Sequence, residues 1–215
     1  GSISPAAANY VTGVGSFRSR YVQRVWAADL RGELGKTWAG PISIATGVET
    51  RQESIRGLSD PASIARRFRL GNTQPISGDE SVAEGFLETV IPVIKGLPWA
   101  QTTDLNAAVR YTDYRLAGPA TTWKLGLTHD FNDQIRIRTT RSRDIRAPKL
   151  NELFQPSSAG SGSLIDRFTN TQPRVVTLTT GNINLVPEKA DTITAGFVLR
   201  PSFLPGLQAS VDYYN

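Results

Sequence analysis

Hydrophobicity along this chain repeats every second residue, and few other patterns restrict a fold so tightly. In residues 105–112, Leu105, Ala107, Val109 and Tyr111 occupy one parity, while Asn106, Arg110 and Thr112 occupy the other. Residues 122–128 repeat the pattern, with Trp123, Leu125 and Leu127 set against Thr122, Lys124, Gly126 and Thr128. So do residues 207–214, with Leu207, Ala209, Val211 and Tyr213 opposite Gln208, Ser210 and Asp212. Successive side chains of a strand point to opposite faces, so this period lays an apolar and a polar face along each ribbon. Residues 28–34, 42–51 and 191–200 follow less cleanly, and residues 85–93 carry apolar side chains on both parities. The reading is all-β: an antiparallel up-and-down meander of about eight strands. No amphipathic helix longer than two turns is expected.

The connections add an asymmetry. They fall at residues 35–41, 57–82, 95–103, 116–120, 131–133, 147–187 and 201–206. Most are short, but the second and sixth run to roughly 26 and 41 residues, a length compact domains seldom leave without a function. Alternate connections of a meander lie at the same end, so both long loops share one end, with the short fourth connection as an exception beside them, and the four odd-numbered turns the other. Outer-membrane barrels have this arrangement, with short periplasmic turns and long external loops. Trp38, Trp99, Phe131 and Phe203 lie in or beside the short turns, where a membrane-interface girdle would place them.

The same parity explains the most basic stretch. Arg136, Arg138, Arg141, Arg143 and Arg146 crowd residues 136–146 of a chain whose net charge is +5. Nucleic acid is the obvious partner for such a run. Yet Ile135, Ile137 and Thr139 alternate with Arg136, Arg138, Thr140 and Ser142, which suits a wall with lipid on one side and water on the other. Arg141 then falls on the lipid side. That is tolerable near the rim, whereas at the bilayer midplane it would cost about 2–4 kcal/mol. No nucleic-acid partner is expected.

Composition removes other classes. No stretch approaches the roughly 18 uninterrupted apolar residues of a membrane helix, a test that says nothing against a barrel. The chain has no cysteine and a single histidine, His129, which excludes thiolate chemistry and multi-histidine metal sites. His129, at a strand end, reads as an interfacial or surface residue rather than a metal ligand. Gly13-Val14-Gly15-Ser16 lacks the context of a dinucleotide fingerprint, and Gly160-Ser161-Gly162 sits in a Ser/Gly stretch rather than a nucleophile elbow. No enzyme and no cofactor are expected.

Three segments carry a resemblance. They are residues 104–114, beginning Asp104-Leu105-Asn106; residues 140–148 with Leu150-Asn151-Glu152-Leu153-Phe154 following; and residues 181–192, with Gly181-Asn182 and Leu185-Val186-Pro187-Glu188. In this order they resemble the C-terminal part of the barrel of TonB-dependent outer-membrane receptors. The resemblance implies a large, 22-stranded transmembrane β-barrel whose lumen is closed by a plug. It also implies uptake of a scarce nutrient, such as a ferric siderophore or an oligosaccharide, at the outer membrane of a Gram-negative bacterium. Outer-membrane lipid would surround the wall, and a TonB-type energy-transducing protein would pull on an N-terminal region. Residues 1–215 then form a partial barrel domain, with the plug domain and the C-terminal strands absent. Gly1-Ser2 reads as a cloning remnant, and Val211-Asp212-Tyr213-Tyr214-Asn215 stops within a strand pattern.

Lumen-facing polar residues are the expected ligand contacts: Arg110, Lys124, Arg136 and Arg138, with Asp29, Arg31 and Glu33 from an earlier strand. Their basic excess suits an anion, such as a ferric chelate bearing carboxylates. The simpler reading is that these charges pair across strands or with a plug. The long loops are the second candidate site. Within the sixth, residues 149–154 are expected as a short helix, residues 157–163 as flexible filler, and Glu152 and Asp166 as solvated single acids. Two rival functions remain: a soluble all-β carbohydrate-binding module, whose apolar faces would pack on a second sheet, and a passive porin-like channel.

Overall fold

A computed structural model describes residues 3–69 and 71–215. It contains α1 (Pro5–Val11), β1 (Phe17–Lys36), β2 (Pro41–Ser59), α2 (Pro61–Ile64), β3 (Ile76–Leu97), β4 (Ala100–Tyr114) and β5 (Gly118–Asp130). These are followed by β6 (Ile135–Arg146), α3 (Leu150–Phe154), β7 (Ser158–Ser163), β8 (Arg174–Thr179), β9 (Glu188–Leu199) and β10 (Ala209–Tyr214). One eight-stranded sheet runs β1-β2-β3-β4-β5-β6-β9-β10, and β7 and β8 pair separately. The expected meander is therefore present, with a single excursion between β6 and β9.

Several sequence boundaries require correction. The strands outrun their clean alternation: β2 continues to Ser59 and β3 starts at Ile76, so the second connection is residues 60–75 rather than 57–82. β3 and β4 are joined by Pro98 and Trp99 alone. The missed strand ends carry mixed side chains, because near a rim neither face demands strict alternation. Residues 157–163, expected as filler, supply β7, which pairs Ser158 with Thr179 and Ser163 with Arg174. Serine and glycine carry little strand propensity of their own; here the β-branched β8 partner, Val175-Val176-Thr177, supplies it.

The chain divides into two compact units. The larger comprises residues 25–51, 81–148 and 186–215. Within it the register aligns like with like. Leu87 pairs with Val109 and Val109 with Trp123; Leu105 pairs with Leu127; Ile137 pairs with Phe197, and Phe197 with Val211. On the opposite face Lys124 pairs with Ala108 and Ser142, and Arg110 with Thr122. The mixed parity of residues 85–93 persists in the fold: Phe86 and Val90 pair with Arg110 and Asn106 on the polar face, Leu87 and Ile91 with Val109 and Leu105 on the apolar one, and the register breaks only between Pro92 and Ile94. Before it, odd residues share the apolar face; after it, Ile94 pairs with Thr103 on that face and Lys95 with Thr102 on the polar one. No second layer covers the apolar face within this unit: Leu125, Ile193 and Val211 are 55%, 50% and 74% exposed. A soluble sandwich would bury them.

Arg141 lies on the apolar face, opposite Leu125 and Ile193. Arg143, two residues on, forks onto Asp191 with two bonds of 2.8 Å. Charge on this face of β6 thus begins at Arg141 and lies toward the long-connection end of the strand, in keeping with a rim. At the short-turn end, Nδ1 of His129 lies 2.7 Å from Thr103 Oγ1. The ring stacks at 6.4 Å on Trp99 and meets Phe131 edge-on at 4.3 Å.

The smaller unit comprises the N-terminal residues up to Arg24, residues 52–80 and residues 149–185. Ile55, Ile76 and Leu150 form its core, with Phe154 packed against them. The expected helix at residues 149–154 is α3, and Glu152 is more than a solvated acid: its Oε2 accepts the Lys149 N–H at 2.8 Å. Asp166 likewise accepts the Phe168 N–H at 2.9 Å and the Thr169 hydroxyl at 2.7 Å, closing a turn. Gly78 lies beneath the Phe154 ring, where any Cβ would collide.

Candidate functional site

A depression of about 650 Å³ opens on the polar face of the larger unit. Strand periodicity places Glu88, Asn106, Lys124, Thr128, Arg138 and Thr140 around it, joined by Arg31 from β1. The volume suits a small ligand. Of the expected contacts, Arg31, Lys124 and Arg138 line this depression, and Arg110 borders a smaller one together with Lys124. Arg136, Asp29 and Glu33 do not line it.

The basic residues differ in how far their charge is met. Arg110 Nη1 donates to Glu84 Oε1 at 2.6 Å, and its guanidinium lies 5.1 Å from the centre of the Phe86 ring. The Glu84 side chain is only 8% exposed, and the Arg110 guanidinium meets it there. Arg136 forks onto Asp130 at 2.6 and 2.9 Å, and Asp130 also accepts the Thr102 hydroxyl at 2.7 Å. Arg138 forks onto Asp212 at 2.8 and 2.6 Å. That bond spans a strand: Arg138 pairs with Gly196, and Gly196 with Asp212. A Cβ on Gly196 would occupy the space of the Asp212 carboxylate, so glycine is what lets the two charges meet. Arg31 makes a loose 3.7 Å contact with Asp29, both side chains being exposed. The Lys124 side chain has no hydrogen-bond or ion-pair partner among the described residues.

The expectation that these charges pair across strands thus describes Arg110, Arg136 and Arg138, and leaves Lys124, with the loosely held Arg31, as the available cations of the depression. Sequence reading missed Glu84 and Asp130, on strands next to those of Arg110 and Arg136, and Asp212, one strand beyond the neighbour of β6, as their partners; the separations in sequence are 26, 6 and 74 residues. Parity places each on the correct face, but only the register matches each acid with its base. Among the described residues no group of three or more metal-ligating side chains gathers, and no helix is long and apolar enough to cross a membrane.

The comparisons with known proteins agree on one fold. A family model described as TonB dependent receptor-like, beta-barrel, matches residues 2–215. The chain is similar to the solved siderophore receptor PirA from Acinetobacter baumannii, at 16% identity and a TM-score of 0.67, covering 91% of this chain and 27% of that one. PirA from Pseudomonas aeruginosa is similar at 17% identity and a TM-score of 0.66, covering 91% and 32%. The ferric enterobactin receptor PfeA from Pseudomonas aeruginosa is similar at 18% identity and a TM-score of 0.64, covering 90% and 26%. The chain therefore spans about a quarter to a third of the length of these structures. A search of curated proteins gives no match.

Proposed function

The chain belongs to the TonB-dependent receptor β-barrel family of Gram-negative outer-membrane proteins, and from that premise we propose that the full-length protein is a receptor for active uptake of a scarce nutrient such as a ferric siderophore. The observation that carries this reading is the family match over residues 2–215 to a sheet with one uncovered apolar face and one polar face. Residues 1–215 form part of the barrel wall in this reading. The plug and the remaining strands lie elsewhere in the full-length protein, and a TonB-type partner supplies energy through an N-terminal region. The siderophore receptors among the similar structures support an iron chelate as the nutrient class. Lys124 is the first lumen contact for an anionic ligand, and Arg138, Arg110 and Arg136 set the positive field around it while pairing with their acids.

The test is uptake of radiolabelled ferric chelates by cells carrying or lacking the gene. Uptake should require the gene and stop when the proton-motive force is collapsed. Gene-dependent entry that survives collapse would instead make the protein a passive channel. The soluble carbohydrate-binding reading is not favoured, because among the described residues of the larger unit no second sheet packs on the apolar face.

A further inference from the structure

The least compensated positive charge beside a cavity lies in the smaller unit. A space of about 550 Å³ is walled by the segment after α2 and by the segment leading from α3 into β7. Phe17, Ile55, Ile76 and Pro156 give it an apolar lining, Arg66 and Arg69 contribute two guanidinium groups, and no acidic residue lines it. Neither arginine side chain has a hydrogen bond or ion pair among the described residues. The wall that carries them is held in place. The Phe68 N–H donates to Asn72 Oδ1 at 3.0 Å, Asn72 Nδ2 to the Phe68 carbonyl at 2.6 Å, and Gln74 Nε2 to the Ser63 carbonyl at 2.8 Å.

Arg66 is a second, independent observation. The Arg66 N–H donates to the Ser63 carbonyl at 3.0 Å and the Arg67 N–H to the Ala62 carbonyl at 2.9 Å. This pattern ends a helix on a left-handed residue, a position that favours glycine. Arg66 adopts it at φ 52°. The helix end alone has no use for a side chain there; what arginine adds is a charged group at the cavity.

We propose that this cavity binds a small organic anion, with an aromatic or otherwise apolar body against Phe17, Ile55 and Ile76 and two carboxylate-type groups on Arg66 and Arg69. Guanidinium groups recognise carboxylates through paired, charge-assisted bonds, and the apolar lining selects against small inorganic ions. As the recognition step of the uptake proposed above, the assignment rests on that reading; its binding chemistry is tested apart from transport.

The test is calorimetric titration of the full-length protein in detergent with isophthalate, an aryl dicarboxylate, and with uncharged isophthalamide. Isophthalate should bind, and isophthalamide about tenfold or more weaker. Arg66→Gly and Arg69→Gln should each weaken isophthalate about tenfold or more. Arg67→Gln removes the same charge from a residue that does not line the cavity and should bind as the parent does. Arg66→Gly should unfold no earlier than the parent, which separates lost recognition from lost folding. Equal binding of the two probes, unchanged affinity in Arg66→Gly and Arg69→Gln, or no saturable isophthalate binding would each overturn the assignment. Isophthalate binding that persists in a protein inactive for uptake would overturn the transport reading alone.

Discussion

Single residues here act through what they allow neighbours to do. Asp60 caps α2, accepting the Ser63 hydroxyl at 2.6 Å and the N–H groups of Ser63 and Ser16 at 2.9 Å each. The Ser63 hydroxyl, aided by these N–H groups, lowers its carboxyl from the ordinary 3.8 to about 2. A depressed carboxyl stabilises the fold above its ordinary pKa, and that stability is lost as pH falls through about 2. Protection of the Ser16 and Ser63 amides from hydrogen exchange, taken relative to each amide's intrinsic rate at that pH, should therefore fall between pH 4 and pH 2; protection that is flat across this window would remove Asp60 from the cap. Gly78 makes a steric argument of the same kind. Gly78→Ala should cost about 1–3 kcal/mol by forcing the Phe154 ring aside, and most of that cost should vanish in a Phe154→Ala background. A double-mutant cycle in urea measures both. Gly78 is an ordinary strand glycine in the sequence, and nothing before the fold names Phe154 as the ring above it.

Among the elements, β6 shows how much alternation decides. Ile137 faces the apolar side beside His129 and Phe197, while Thr140 faces the polar side beside Gly126 and Thr194. For a wall in lipid, Ile137→Arg should destabilise the full-length barrel by about 2–4 kcal/mol if it lies near the midplane, and Thr140→Arg much less. Unfolding by urea from vesicles reads the difference. Equal costs for the two substitutions would mean that lipid does not contact this face. The alternation was legible in advance for β4, β5, β6 and β10, because one environment lies on each side over most of their length. It was not legible in β3, where Phe86 and Val90 put apolar side chains on the polar face and the parities exchange after Pro92, nor in β7, whose pairing comes from a strand 16 residues further on.

At the scale of the whole molecule, β1 and β10 end the strand order with unpaired edges. Backbone groups at such edges have no partner in hydrocarbon, so residues 1–215 expressed alone should not insert as a barrel. The full-length protein should show the heat-dependent gel mobility of a closed barrel, and the isolated chain should not. Native-like heat-modifiable insertion of residues 1–215 alone would mean that the eight strands close by themselves.

What the sequence determined by itself is therefore the local physics: period-two faces, a lipid-facing and a water-facing side, short turns at one end and long connections at the other. These depend on each residue's own chemistry and on its immediate neighbours. The tertiary structure decided the pairings: Arg138 with Asp212 across Gly196, Phe154 over Gly78, and Arg66 beside Arg69 at one cavity. Such pairings depend on strand register and on how the long connections fold back, which arise from interactions between residues far apart in the chain. Parity says which side of a wall a charge occupies; only the register says which opposite charge it meets there.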